Sequence, residues 1–152
     1  MERLDKELQQ RVWQRVQSRE KTDLPLLEQE NLRPFLLALQ ENGAAYQNLS
    51  RQLPGKEGEK ARKLWQESQR CLACLKGICR IRGESVKLPQ LPVQKEQVQR
   101  SLMKCYHRER NLWSEWEHRS GDGEYGPVYA QLARQARDRC ASVMEILGNL
   151  EK

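Results

Sequence analysis

The chain has 152 residues, 38% of them apolar and 32% charged, with a formal net charge of +6. That length carries one domain with a real core, and the low apolar share suits slender helices with one buried stripe each, not a wide sheet. No stretch approaches the roughly 20 apolar residues of a membrane span, and the charged start Met1-Glu-Arg-Leu-Asp-Lys-Glu7 lacks an apolar signal region, so a cytoplasmic protein without a membrane partner is expected.

An N-terminal helix is expected over about 2–19, with Leu4, Leu8, Val12 and Val16 on one stripe and Trp13 beside it. Thr22-Asp-Leu-Pro25 supplies a cap and a proline suited to a first helical turn. The following helix carries Leu32, Phe35, Leu36, Leu39, Tyr46 and Leu49, is interrupted by Gly43 as an aid to close packing, and ends at Leu53-Pro-Gly55. The next runs from about Glu57 to Arg82, burying Leu64, Ser68, Cys71, Leu72, Leu75 and Cys79, and Gly83 closes it.

Residues 84–93, Glu-Ser-Val-Lys-Leu-Pro-Gln-Leu-Pro-Val, hold two prolines and no helical stripe, so they read as extended. The eleven residues from Gly83 to Val93, when extended, reach about 36 Å, and a helix of about 25 residues is about 37 Å long. The segment is therefore long enough to return the chain along a whole bundle, as a crossover between two helical hairpins. The next helix places Val98, Leu102, Cys105, Glu109, Leu112 and Trp116 on one face and breaks at Ser120-Gly-Asp-Gly123. Pro127 opens the last helix, with Leu132, Ala136, Cys140, Val143 and Leu147 in line.

The basic residues alternate with Glu and Gln, as in Glu57-Gly-Glu-Lys-Ala-Arg-Lys63. This describes a solvated helical surface and not a nucleic-acid interface. Five cysteines without a secretion signal read as reduced thiols. Cys71 and Cys74 form a Cys-x-x-Cys in mid-helix, which could share a metal with Cys105 or His107, although packing is the simpler reading. Trp113 and Trp116 likewise read as packing residues more readily than as part of a ligand pocket.

Leu39 lies seven residues before Tyr46, and Glu109 seven before Trp116. With two hairpins, a midchain crossover and Gly126-Pro-Val-Tyr-Ala-Gln-Leu-Ala133 opening the last helix, residues from about 25 to 148 resemble the ferritin-like superfamily, rubrerythrin-type members included. The resemblance implies an all-α, ferritin-like four-helix bundle over 25–152, with 1–24 as an extra N-terminal helix and linker. It also implies a Glu on the first and third bundle helices and Glu-x-x-His on the second and fourth, holding iron or manganese.

Carried over, the first Glu position is Leu39 and the third-helix position is Glu109. Aligning the apolar stripes puts Ser68 and Cys71, then Ala136 and Arg139, at the two Glu-x-x-His pairs; a shift by one gives Glu67 and Arg70, then Arg137 and Cys140. The stripe frame is preferred because it superposes Leu64 on Leu132 and Leu75 on Val143. Neither frame yields a Glu-His pair. The match Glu115-Trp-Glu-His118 falls at a helix end, with Glu115 flanking the core and His118 near solvent.

A Glu on an apolar stripe needs a cation or a proton, and Arg139 or Arg137 is the natural partner of Glu109. The expectation is thus a degenerate bundle without a cofactor or catalytic residues, acting in structure, self-association or contact with another protein. The competing reading is a metal-binding protein or metal-dependent oxidoreductase using Glu109, Glu67, Cys71 and His107, with iron or manganese as the ion.

Overall fold

The computed structural model describes residues 23–92, 95–121 and 123–151, with residues 23–31 described through the backbone alone. The expected helix over 2–19 lies outside the described residues. Those described form four helices and no strand: α1 (Asp23–Gln52), α2 (Gly55–Ile81), α3 (Val98–Arg119) and α4 (Gly126–Leu150). Among them no helix is long and apolar enough to cross a membrane.

Each helix buries one stripe, as its apolar spacing requires. In α1 Leu32, Leu36, Leu39, Tyr46 and Leu49 face inward, while Pro34 sits exposed and costs the helix one hydrogen bond without breaking it. α1 packs on α2 and α3 on α4 as two hairpins, with α1 against α3 and α2 against α4 between them.

The core has two halves. One joins the start of α1 and α4 to the end of α2 and α3, through Leu36, Leu75, Leu112 and Leu132. The other joins the opposite ends, through Leu49, Leu64, Leu102 and Ile146. α2 therefore finishes at the end opposite to where α3 begins, and residues 84–92, which form neither helix nor strand, lead back along the bundle as a strap. Val86 and Leu88 of the strap pack on the first core half, and Gln40 Nε2 on α1 donates to the Pro89 carbonyl at 2.9 Å.

Two glycines fix the ends of α2. Gly83 takes φ = +76°, and its N–H reaches the Arg80 carbonyl at 3.0 Å while that of Glu84 reaches Cys79 at 2.7 Å. This left-handed cap satisfies two terminal carbonyls and turns the chain into the strap. At the other end a Cβ on Gly58 would stand 2.3 Å from the Leu53 carbonyl oxygen, so the α1–α2 turn closes only on glycine. Gly43 is different: a Cβ there would meet Ser68 and Trp65 at 3.7 and 3.9 Å, ordinary contact distances. The expectation that Gly43 serves close packing is therefore corrected, because an alanine would fit.

A buried ion pair at the candidate site

All six positions of the stripe frame are buried: Leu39, Ser68, Cys71, Glu109, Ala136 and Arg139. The shifted frame fails on exposure, since Arg70 and Arg137 face outward and Arg137 pairs with its neighbour Asp138 at 3.6 Å. Arg139 is 1% exposed and Glu109 fully buried.

The guanidinium Nε of Arg139 donates to both carboxylate oxygens of Glu109 at 3.0 Å. Tyr46 Oη adds a hydrogen bond to Glu109 Oε2 at 2.7 Å. On the far side of the guanidinium, Arg139 Nη1 donates to Cys71 Sγ at 3.4 Å, and the Cys71 thiol donates to Gln135 Oε1 at 3.2 Å. Glu67, partly exposed at the rim, comes within 3.9 Å of Arg139 Nη1. The centre is thus a chain of polar contacts running from Tyr46 through Glu109, Arg139 and Cys71 to Gln135, across all four helices.

Burial and charge set the protonation of its members. Burial pushes the Tyr46 hydroxyl well above its usual value, and the Glu109 charge adds to this, so it remains a donor. Burial also raises the Cys71 thiol, against the pull of the Arg139 cation. For Arg139 burial alone favours loss of the proton, but Glu109 and Cys71 outweigh it and hold the guanidinium charged.

A second rung lies one helical turn away. Asn42 Nδ2 donates to the Cys105 carbonyl at 3.1 Å, and Asn42 Oδ1 accepts from Arg108 Nη1 at 3.1 Å. Arg108 also pairs with Glu41 at 3.3 Å. Asn42 and Tyr46 stand four residues apart on α1, and Cys105 and Glu109 four apart on α3. The two rungs therefore lock the axial register of these helices.

The seven-residue spacings acquire different meanings. Because α1 and α3 are antiparallel, Tyr46 meets Glu109, whereas Trp116 shares a core half with Leu39. There the indole stacks on Tyr129 (centroids 5.5 Å apart) and meets the Phe35 edge at 5.6 Å. An acceptor faces the phenol and an alkyl chain lies in the half that holds the indole, so each aromatic matches its neighbourhood.

Of the alternative ligand set, the structure gathers Glu109, Glu67 and Cys71, but around the Arg139 cation. His107 is exposed on another side of α3, beside the Tyr106 ring at 5.7 Å. Cys105, offered as a further partner of the Cys-x-x-Cys, belongs to the other core half. Glu115 accepts from Arg119 Nε at 2.6 Å, and His118 is exposed. Trp113 is partly buried, with its indole N–H on Glu117 at 2.9 Å. Among the described residues no three His, Cys, Asp or Glu groups are placed to hold a metal ion.

Reading the sequence identified Glu109 and offered Arg139 as its partner, but missed Tyr46 as donor, Gln135, and the Asn42–Arg108 rung. No sequence signal fixed these partners, because they depend on the axial offset of α1 against α3. No family model matches the chain, and neither a curated protein nor a solved structure matches it.

Proposed function

We propose that this chain is a ferritin-like bundle in which a protein-only ion pair has taken the place of the di-metal centre, and that it acts as a structural or protein-interaction module and not as an oxidoreductase. The two hairpins with a full-length strap between them support the ferritin-like reading, since a single long crossover characterises that bundle. The observation that carries the functional reading is the Arg139 guanidinium, 1% exposed, bonded to both oxygens of Glu109.

A di-iron or di-manganese centre of this class draws a Glu from each of two helices and a Glu-x-x-His from each of the others. Here those positions offer Leu39, Ser68 with Cys71, Glu109, and Ala136 with Arg139. One carboxylate already neutralised by a cation leaves no negative charge for two divalent ions. The residues do not fit the group.

Five free thiols, four of them buried, suit a reducing compartment and support a cytoplasmic setting. The partner is then a second copy of the chain or another protein, and residues 25–152 form the folding unit.

Elemental analysis of protein purified without chelators, before and after incubation with ferrous and manganous ions, tests the reading. Substoichiometric metal in both states is expected. Stoichiometric iron or manganese that disappears in Glu109→Gln would sink it.

A further inference from the structure

Between α2 and α4, next to the Arg139–Cys71 contact, lies a cavity of about 550 Å³ whose lining includes Glu67, Cys71, Cys74, Leu132, Gln135 and Asp138. Both residues of the Cys-x-x-Cys line this cavity, Cys71 from a buried position and Cys74 from an exposed one. Packing accounts for Cys71, but it gives no account of Cys74.

Residues three apart on a helix hold their Cβ atoms about 5–6 Å apart. A disulfide needs about 3.5–4.5 Å between them, so the helix keeps the two sulfurs from bonding directly unless it unwinds. An ion between them suits this spacing better. Two metal–sulfur bonds of about 2.3 Å each, placed in line, span about 4.6 Å.

Thiolates select monovalent copper, zinc and iron–sulfur clusters. Zinc sites take three or four protein ligands and iron–sulfur clusters four, and no third His, Cys, Asp or Glu group joins the pair among the described residues. A two-coordinate ion remains. Arg139 Nη1 donates to Cys71 Sγ at 3.4 Å, a contact that a thiolate strengthens.

We propose that Cys71 and Cys74 form a two-thiolate site for a thiophilic monovalent ion of the copper(I) class, with Arg139 Nη1 as a hydrogen-bond donor to the Cys71 sulfur. Binding exchanges two thiol protons for one ion: Cu⁺ and two thiols give the anionic bis-thiolate complex and two protons, with no change of oxidation state. The site shares Cys71 and Arg139 with the buried network, but the proposed function rests on the Glu109–Arg139 pair alone, so failure to bind copper would leave it standing.

Anaerobic titration of the reduced full chain with copper(I), against a chromophoric copper(I) chelator, tests the site. One ion per chain is expected, with two protons released per ion in weakly buffered solution. Cys74→Ser, at an exposed position, keeps the fold and should weaken binding by more than about 100-fold, beyond the loss typical of an outer-shell partner. Cys71→Ser should do the same, with circular dichroism verifying its fold, and Cys79→Ser should bind as the parent does. Three outcomes would overturn the proposal: undiminished binding in Cys74→Ser, loss of binding in Cys79→Ser, or complete retention of copper by the chelator.

Discussion

Replacing Arg139 by methionine removes the counter-charge of Glu109 while keeping an unbranched side chain of similar reach. Glu109 is fully buried, and among the described residues Tyr46 Oη at 2.7 Å becomes its remaining hydrogen-bond partner. Breaking a buried pair from one side costs about 3–5 kcal/mol, a large part of the about 5–15 kcal/mol that holds a typical domain together. Adding Glu109→Leu removes the stranded charge and should recover part of the loss. It still leaves the Tyr46 hydroxyl unpaired, at about 1–3 kcal/mol. Adding Tyr46→Phe to the pair removes that cost too, and the triple variant should approach or exceed the parent, since apolar replacement of a buried pair is often neutral or stabilising by about 1–4 kcal/mol. Urea unfolding followed by circular dichroism at neutral pH measures all four proteins. The ordering, with the single variant weakest and the triple strongest of the three, is the test. A single variant that loses less than about 1 kcal/mol, or a triple no better than the single, refutes the assignment of the core's electrostatics to this pair.

Gly58→Ala brings a Cβ to 2.3 Å from the Leu53 carbonyl, a backbone atom that cannot swing away, so unfolding in urea should show a loss of about 1–3 kcal/mol; Gly43→Ala, where the nearest contacts are ordinary, should show none. A second effect follows from the buried thiols. Burial, above all, lifts Cys79 and Cys140 from 9.0 to about 11 and Cys105 to about 12. Between the unfolded and folded values the native chain keeps protons that the unfolded chain has lost. Their stabilising contribution is thus complete below about pH 9 and is lost as pH rises through 11 to 12, at about 1.4 kcal/mol per pH unit for each thiol. The urea midpoint should fall less steeply above pH 9 in Cys105→Ala than in the parent; equal slopes would remove Cys105 from this account.

The helices were legible because each repeats its apolar residues at three- and four-residue steps, and the strap because its prolines and length fit one topology. The choice between Arg139 and Arg137 was also within reach: only the frame that superposes Leu64 on Leu132 buries its arginine. The hydrogen-bond partners were not. Whether Tyr46 meets Glu109, or Asn42 meets the Cys105 carbonyl, depends on the axial offset of two helices joined by neither a short loop nor a motif. A shift of one turn, about 5.4 Å, would pair different residues with the same stripes buried. Gly58 and Gly43 make the same point locally, since only the path of the neighbouring carbonyl tells an obligatory glycine from a replaceable one.

If the ferritin-like reading is right, the lost centre can be rebuilt. Leu39→Glu, Ser68→Glu, Cys71→His, Ala136→Glu and Arg139→His would restore, with native Glu109, four carboxylates and two imidazoles on the inner stripes, the full ligand complement of such a centre. Four negative charges balance two divalent cations, whereas the present positions sum to zero. Without metal, that many buried carboxylates repel one another and the variant should be less stable than the parent. Binding to the folded state alone then contributes through mass action, about 2.7 kcal/mol at 100 times Kd for one ion, so manganese or ferrous ion should raise the melting temperature with the logarithm of its concentration. Two ions per chain by elemental analysis, with that stabilisation, would mean that the four stripes converge as in a di-metal bundle. A variant that folds yet takes up no metal, or one that manganese fails to refold, would show that they do not, and the resemblance would then reach no further than four helices and a strap.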